Sequence, residues 1–370
     1  MTDDRFAALL QPLTVGAIEA PNRLFMAPLT RNRADADGTP NALMVRYYAQ
    51  RASAGLIVSE ATWVVQQGKP YPRTPGLASD AHRDGWRAVT DAVHAAGGRI
   101  VAQLWHGGRV SHPETAGEQP VSASATPFER LTIFTDSQAK AEIPTPRALA
   151  REELPGIVAG YVDAARRAIE AGFDGVEVHG ANGYLLEQFL ADGINHRDDE
   201  YGGSPQNRAR LTVEVVSAVA AAIGAERTAL RISPLHGAHE TVERDGGDAH
   251  RALADALAPL GLAYVHVLSA LDQDELLRDL RERYGAPFVL NSGFAVRTER
   301  DEAIAIVADG RADAVAVGRA WIGNPDLLDR WAADAPITRA DSKLFYSDGP
   351  EGYVDYPTLA QERADEERAA

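Results

Sequence analysis

Eight short apolar runs, separated by longer stretches of helical periodicity, restrict what this chain can fold into more than any other feature. They lie at residues 23–27, 56–59, 99–104, 175–178, 229–232, 264–267, 288–290 and 314–317. Runs of this kind suit strands buried on both faces, as in parallel sheets, where each pair of neighbours needs a long crossover between them. The intervals can supply those crossovers. Apolar residues recur at helical spacing over 84–96, 156–171, 205–222 and 298–308, and Gly172 and Gly310 stand where a helix would end in the left-handed conformation. Eight strands alternating with helices predict an α/β protein built as a (β/α)8 TIM barrel.

A barrel of this type accommodates all 370 residues as one domain, 1–370. Residues 13–20 alternate about a glycine and predict an N-terminal hairpin. The longest interruption, 107–155, falls after the third strand and is rich in Pro, Ser, Thr and Ala. A loop of that length inside a compact domain is expected to be functional, here an inserted lid or capping subdomain. Residues 361–370 read as a charged, solvated tail. The net charge of −16 repels nucleic-acid backbones and anionic lipid, so the expected partner is a small molecule, bound by a monomer or homodimer. No run has the length of a transmembrane helix, and the acidic opening Met1-Thr2-Asp3-Asp4 lacks the pattern of a secretory signal, which predicts a cytoplasmic protein. The chain has no cysteine, which removes disulfides, thiolate zinc sites, cysteine nucleophiles and cysteine-ligated iron–sulfur clusters together.

Active sites of such barrels gather at the C-terminal ends of the strands. Here those ends are dense in polar chemistry: Pro28-Leu29-Thr30-Arg31, Glu60-Ala61-Thr62, Gln103-Leu104-Trp105-His106, His179 with Asn182 and Tyr184, Arg231 beside Ser233-Pro234, Asn291-Ser292-Gly293, and Gly318-Arg319. Any one of them alone is as well explained by capping, core packing or a turn. Seven ends of this character are not. The glycines after the seventh and eighth strands lie where barrels often bind phosphate, and Arg319 adds charge. With Gln103, Thr30 and Arg231, they suggest a phosphorylated planar heterocycle.

Several stretches carry a family likeness. Asn22-Arg23-Leu24-Phe25-Met26-Ala27-Pro28-Leu29-Thr30-Arg31, Gln103-Leu104-Trp105-His106-Gly107-Gly108-Arg109, His179-Gly180-Ala181-Asn182-Gly183-Tyr184-Leu185, Asp199-Glu200-Tyr201-Gly202-Gly203-Ser204, Asn207-Arg208 and Gly352-Tyr353-Val354-Asp355-Tyr356-Pro357 resemble, in order and spacing, the old yellow enzyme family of flavin-dependent ene-reductases. The resemblance implies non-covalent FMN, NADPH or NADH as hydride donor, and an electron-poor alkene as acceptor. It implies that Pro28, Leu29, Thr30, Ala61 and Gln103 contact the isoalloxazine, and that Arg231 lies near its N1 and O2 edge. Ser292, Gly293, Gly318 and Arg319 would hold the phosphate. His179 and Asn182 would hydrogen-bond the substrate carbonyl or nitro oxygen, Tyr184 would protonate the α-carbon, and Tyr71, Trp105 and Tyr346 would wall the substrate cavity. No metal is implied.

The chain departs from the family in one motif: Val317-Gly318-Arg319-Ala320 stands where Phe-Gly-Arg-Pro is usual, which bears on packing around the phosphate. Residues 268–278 carry no assignment. Related dienoyl-CoA reductases add iron–sulfur and flavin domains, which need cysteines and several hundred further residues. A non-redox barrel lyase or isomerase acting on a phosphorylated substrate, and a flavin-binding protein without turnover, remain the alternatives at this point.

Overall fold

The structure is a computed structural model that describes residues 5–137, 139–269, 273–293 and 297–369. The barrel strands are β1 (Leu24–Met26), β2 (Ile57–Val58), β3 (Ile100–Trp105), β4 (Gly175–Gly180), β5 (Thr228–Ile232), β6 (Val265–Leu268), β7 (Phe288–Asn291) and β8 (Ala314–Val317). Each pairs parallel with the next, β8 pairs with β1, and the sheet closes on itself. The eight apolar runs of the sequence are these strands, to within a few residues at each end.

The helices α1 (Ala42–Ala49), α2 (Asp80–Ala95), α3 (Leu154–Glu170), α4 (Pro205–Ile223), α5 (Asp248–Leu257), α6 (Asp274–Tyr284) and α7 (Arg300–Ala308) return the chain between strands. Their starts are set locally. Asn41 Oδ1 accepts the Leu43 N–H at 3.1 Å, Ser79 Oγ accepts the His82 N–H at 3.2 Å, and Ser204 Oγ accepts the Asn207 N–H at 3.3 Å ahead of Pro205. Past the ends of α3 and α7, Gly172 and Gly310 take φ of +92° and +69°, as their positions predict.

Side chains of a strand alternate between faces, and the two faces of this barrel have different tasks. Outward residues such as Val176, Val178, Leu230 and Ile232 pack with the helices into one large core. The inward set at the N-terminal end is apolar: Phe25, Leu56, Val58, Val101, Ala229, Tyr264, Val289 and Ala314. A hairpin of two strands, Leu13–Val15 and Ile18–Ala20, closes that end with Val15, Ile18 and Ala20. Two residues further along the same strands, the inward positions become Gln103, Glu177, Arg231, His266 and Asn291. The sequence alternation thus fills the bottom of the barrel with hydrocarbon and sends its polar groups to the C-terminal mouth.

Within 107–155, Thr132–Phe134 pairs antiparallel with Lys140–Glu142, and Val121–Ser122 pairs parallel with Arg147–Ala148. Residues beyond Gln361, expected as a tail, continue an exposed helix, Leu359–Ala369, tied to the body where Arg330 meets Glu362 at 2.9 Å. Among the described residues no helix is long and apolar enough to cross a membrane.

Candidate active site

The C-terminal mouth opens into a cavity of about 740 Å3, in the range of sites for cofactor-sized ligands. Pro28, Leu29, Thr30, Ala61, Gln103, Arg231, Gly293, Gly318 and Arg319 line it together with Tyr71, Trp105, His179, Asn182, Tyr184 and Tyr346. Of the cofactor and substrate residues that the family resemblance implied, Ser292 alone does not line it. Its hydroxyl is turned into a 2.9 Å hydrogen bond with Thr298 Oγ1, and Thr298 faces the cavity instead.

Glu177 organises the floor. Wholly buried, it accepts from Gln103 Nε2 at 2.7 Å, from Tyr264 Oη at 3.0 Å and from His266 Nδ1 at 2.9 Å. Burial by itself would raise its pKa, but its pairing with His266, the positive charge of Arg231 and these hydrogen bonds outweigh it, and the carboxyl is held below its ordinary value. Glu177 therefore stays ionised, serves as countercharge for the buried Arg231, and orients the Gln103 amide with its second N–H and its oxygen free for the cavity. Arg231 Nη2 donates to Asn291 Oδ1 at 3.1 Å.

The turn after β4 carries the other wall. Asn182 and Gly183 take φ of +58° and +76°, a left-handed pair that reverses the chain and brings Tyr184 beside His179, ring centroids 5.2 Å apart. The Asn182 N–H donates to Ser233 Oγ at 2.7 Å, and Ser233 Oγ donates to Glu187 Oε1 at 2.8 Å. Trp105 stacks edge-on against Tyr184 at 4.8 Å. Burial, reinforced by Arg231, pushes the His179 pKa well below that of free histidine, so its ring is neutral. Burial, with Tyr71 alongside, pushes the Tyr184 phenol well above its usual value, so it is protonated.

The C-terminal segment reaches the mouth through buried arginines. Arg31 donates to the Phe345 carbonyl at 3.0 Å and the Gly352 carbonyl at 2.7 Å, and Arg33 donates to the Phe345 carbonyl at 2.9 Å. Tyr353 stacks on Tyr47 at 4.1 Å beneath the Arg31 guanidinium. Arg31 is thus a strut for the segment that places Tyr346, which is 65% exposed, at the entrance.

Besides Thr298, three lining residues that were not foreseen bear on the site. His239, on the loop after β5, lines the cavity, as do Ile133 and Phe134 of the insertion. Ile133 packs with Ala61, Trp105 and Tyr184, which lays the insertion's hairpin over the pocket. No sequence pattern marks His239; its loop is held by Arg109, whose guanidinium donates to the carbonyls of His239 and Glu240 at 2.9 and 3.0 Å.

Arg231 Nε, His179 Nδ1, Asn182 Oδ1 and Trp105 Nε1 are buried without a hydrogen-bond partner among the described residues. Buried polar atoms are rarely left open, and four of them on residues of one cavity fit a bound polar ligand. FMN suits the donor set: Gln103 and Thr30 match the polar edge of a flavin ring, and Arg231 matches the edge that gains negative charge on reduction. Gly293, at φ +147°, lets the backbone come close where a side chain could not, with Gly318 and Arg319 nearby for a phosphate.

Comparison with known proteins points the same way. Residues 8–337 match the model of the NADH:flavin oxidoreductase / NADH oxidase family. The chain is 40% identical to 12-oxophytodienoate reductase 7 of Oryza sativa subsp. japonica, over 97% of this chain and 96% of that one. It is 42% identical to a probable flavin mononucleotide-dependent alkene reductase of Leishmania infantum, over 95% and 97% of the two chains. Among solved structures, the old yellow enzyme homologue from Zymomonas mobilis superposes with a TM-score of 0.91 at 43% identity, over 95% and 99% of the two chains. Morphinone reductase in complex with tetrahydroNAD superposes at 0.89 and 43% identity, over 95% and 97%. The non-redox alternative falls with these matches: the chain belongs to the NADH:flavin oxidoreductase / NADH oxidase family and is an FMN-dependent oxidoreductase of the old yellow enzyme kind.

Proposed function

We propose that this cavity reduces carbon–carbon double bonds conjugated to an electron-withdrawing group, with NADPH or NADH as hydride source. α,β-Unsaturated ketones and aldehydes, maleimides and nitroalkenes are the substrate class. The observation that carries this reading is the convergence of a neutral His179, the Asn182 amide and a protonated Tyr184 on one pocket that also contains the flavin-type donors.

When bound, FMN supplies a two-electron carrier that accepts hydride from the nicotinamide and returns it to the alkene. The protein's own groups do the rest. His179 and Asn182 donate hydrogen bonds to the substrate oxygen, which draws electron density from the double bond and stabilises the charge that builds there. Neither group has to titrate to do so: His179 is held neutral, and an amide carries no ionisable proton. Tyr184 gives its phenolic proton to the α-carbon, a task for which a high pKa keeps the proton in place until it is needed. Gln103, Thr30 and Arg231 hold and polarise the flavin, while Gly293, Gly318 and Arg319, with Thr298 in place of Ser292, surround its phosphate. Tyr71, Trp105 and Tyr346 shape the space above, with 107–155 acting as a lid whose Ile133 already rests on Tyr184's surroundings.

The test is a single turnover in D2O. Anaerobically reduced protein mixed with an α-substituted cyclic enone should place one deuterium at the α-carbon, on the face opposite the transferred hydride. Incorporation on both faces would mean that bulk solvent, not a fixed side chain, provides the proton.

A further inference from the structure

Behind Tyr184 the cavity wall contains a line of hydrogen-bonding groups that ends near solvent. Tyr184 Oη lies 3.3 Å from Tyr71 Oη, Tyr71 Oη lies 3.4 Å from His239 Nε2, and His239 Nδ1 lies 2.6 Å from the Asn182 carbonyl oxygen. A carbonyl oxygen only accepts, so His239 Nδ1 carries a hydrogen and Nε2 faces Tyr71. The rings are in mutual contact, His239 and Tyr184 at 5.0 Å between centroids.

His239 is held in this place by force. It sits at φ +52° and its neighbour Glu240 at +54°, conformations rare outside glycine and asparagine. Arg109 grips both carbonyls, and the Glu240 carboxylate accepts the backbone N–H groups of Glu129 and Arg130 at 2.7 and 3.1 Å. On the other side, the Gly183 position leaves no room for a side chain against His239 Cβ. A strained residue locked by this many contacts, with its ring aimed at two phenols, is the kind of site where strain accompanies function.

We propose that Tyr71 and His239 form a proton relay that reloads Tyr184 from solvent during alkene reduction. The inference rests on the reading of Tyr184 as proton donor. As the hydride adds to the β-carbon, the π pair becomes the enolate held at His179 and Asn182, and the new α-carbon C–H bond takes its proton from Tyr184 Oη. In its protonated form, with a hydrogen on each ring nitrogen, His239 passes its Nε2 hydrogen to Tyr71 Oη as Tyr71 Oη passes its own to Tyr184 Oη; the neutral ring that is left, still bound through Nδ1–H to the Asn182 carbonyl, is then reprotonated at Nε2 by a solvent proton at the cavity edge. One solvent proton enters and one α-hydrogen leaves with the product; Tyr71 and His239 end as they began. They are positioning residues, since neither needs to touch the substrate.

The need for a relay follows from burial. A phenolate at Tyr184 is strongly disfavoured, so its proton leaves readily only if another arrives from behind. Burial also lowers the His239 pKa, opposed by its bond to Asn182 and aided by Arg109 and His236, and an imidazolium of low pKa gives up its proton easily. The groups around His239 are Tyr71, Tyr184, Arg109, His236 and Glu240, with His179 across the pocket; no carboxylate of the described residues pairs with its ring. The form that donates toward Tyr71 has His239 protonated, so the relay's contribution declines as pH rises through a pKa below the ordinary histidine value.

The experiment uses holoenzyme reduced anaerobically and mixed with cyclohexenone in a stopped-flow instrument, comparing the intact protein with Tyr71→Phe, His239→Gln, the double variant and Tyr184→Phe. Each relay variant should slow the alkene half-reaction by about ten-fold or more relative to flavin reduction, within the span expected for proton-transfer groups. The double variant should be no slower than the worse single, the intact protein should give a curved rate dependence on deuterium fraction that becomes linear in both singles, and His239→Gln should lose the decline with pH. Single variants within about two-fold of the intact protein, or losses that multiply with an unchanged deuterium dependence, would overturn the relay and leave Tyr71 and His239 as cavity walls. If Tyr184→Phe slows and the relay variants do not, only the relay fails; if Tyr184→Phe is also fast, the donor assignment fails with it.

Discussion

Glu177 offers the most demanding test of how the floor of the site is built. It is a carboxylate with no exposure in the middle of a barrel strand, and three donors converge on it at 2.7, 3.0 and 2.9 Å. Arg231, only 4% exposed, depends on it for countercharge. Glu177→Leu keeps much of the volume but leaves a buried guanidinium without an anion and three donors without an acceptor. Breaking a buried ion pair from one side costs about 3–5 kcal/mol, and the stranded donors set the loss at the upper end. Glu177→Gln retains one acceptor oxygen and removes only the charge, so about 1–3 kcal/mol is expected. Urea unfolding, followed by circular dichroism with FMN at a fixed excess, reads both, because bound cofactor adds its own stabilisation. The flavin should also bind more weakly in both variants, since the Gln103 amide loses the partner that orients it. A Glu177→Leu protein destabilised by less than about 1 kcal/mol would refute the reasoning, because it would mean that Arg231 needs no buried anion.

Three further outcomes are expected. Gly183→Ala should lower stability by about 1–3 kcal/mol in thermal unfolding, since its backbone is left-handed and a Cβ would lie 2.5 Å from the Ala238 carbonyl oxygen and 2.6 Å from Thr241 Oγ1. Glu187, wholly buried, has its pKa pushed up to about 8 by burial and then by Glu243, so the folded state holds its proton more tightly than the unfolded chain does. That contribution to stability is present below the ordinary glutamate pKa and is lost as pH rises toward about 8, and Glu187→Gln should flatten the fall in melting temperature between these limits. Removing a hydrogen-bond donor from the pocket, His179→Ala should weaken phenolic ligands by about ten-fold in a flavin absorbance titration; an unchanged affinity would remove its role toward substrate oxygen.

The barrel was legible because burial on both faces of a parallel strand leaves a continuous apolar run, and most of the site was legible because barrels gather their chemistry where those runs stop. Gln103, His179 and Arg231 could be read from that rule alone. His239 could not. Its loop has no periodicity, and its position depends on left-handed residues and on Arg109, which is 130 positions away in the chain. Ile133 reaches the pocket through a hairpin in a stretch whose composition says only that it is a loop. Glu177 stood in plain view inside an apolar strand, but which three donors it serves is decided by the register that sets it level with Gln103 and by β6 beyond. Ser292 was implied by the family resemblance, whereas the direction of a short side chain is decided by its neighbour, Thr298.

The central claim is that one face of the cavity serves the flavin and the other serves the alkene, with Tyr184 acting only in the second. The direct measurement is the pair of half-reactions in Tyr184→Phe, followed anaerobically by flavin absorbance: reduction by NADPH or NADH, then reoxidation by an enone. The account predicts flavin reduction close to that of the intact protein and reoxidation slower by about 10²–10⁴-fold, the contribution of a general acid. Equal losses in both half-reactions, or none in either, would contradict it.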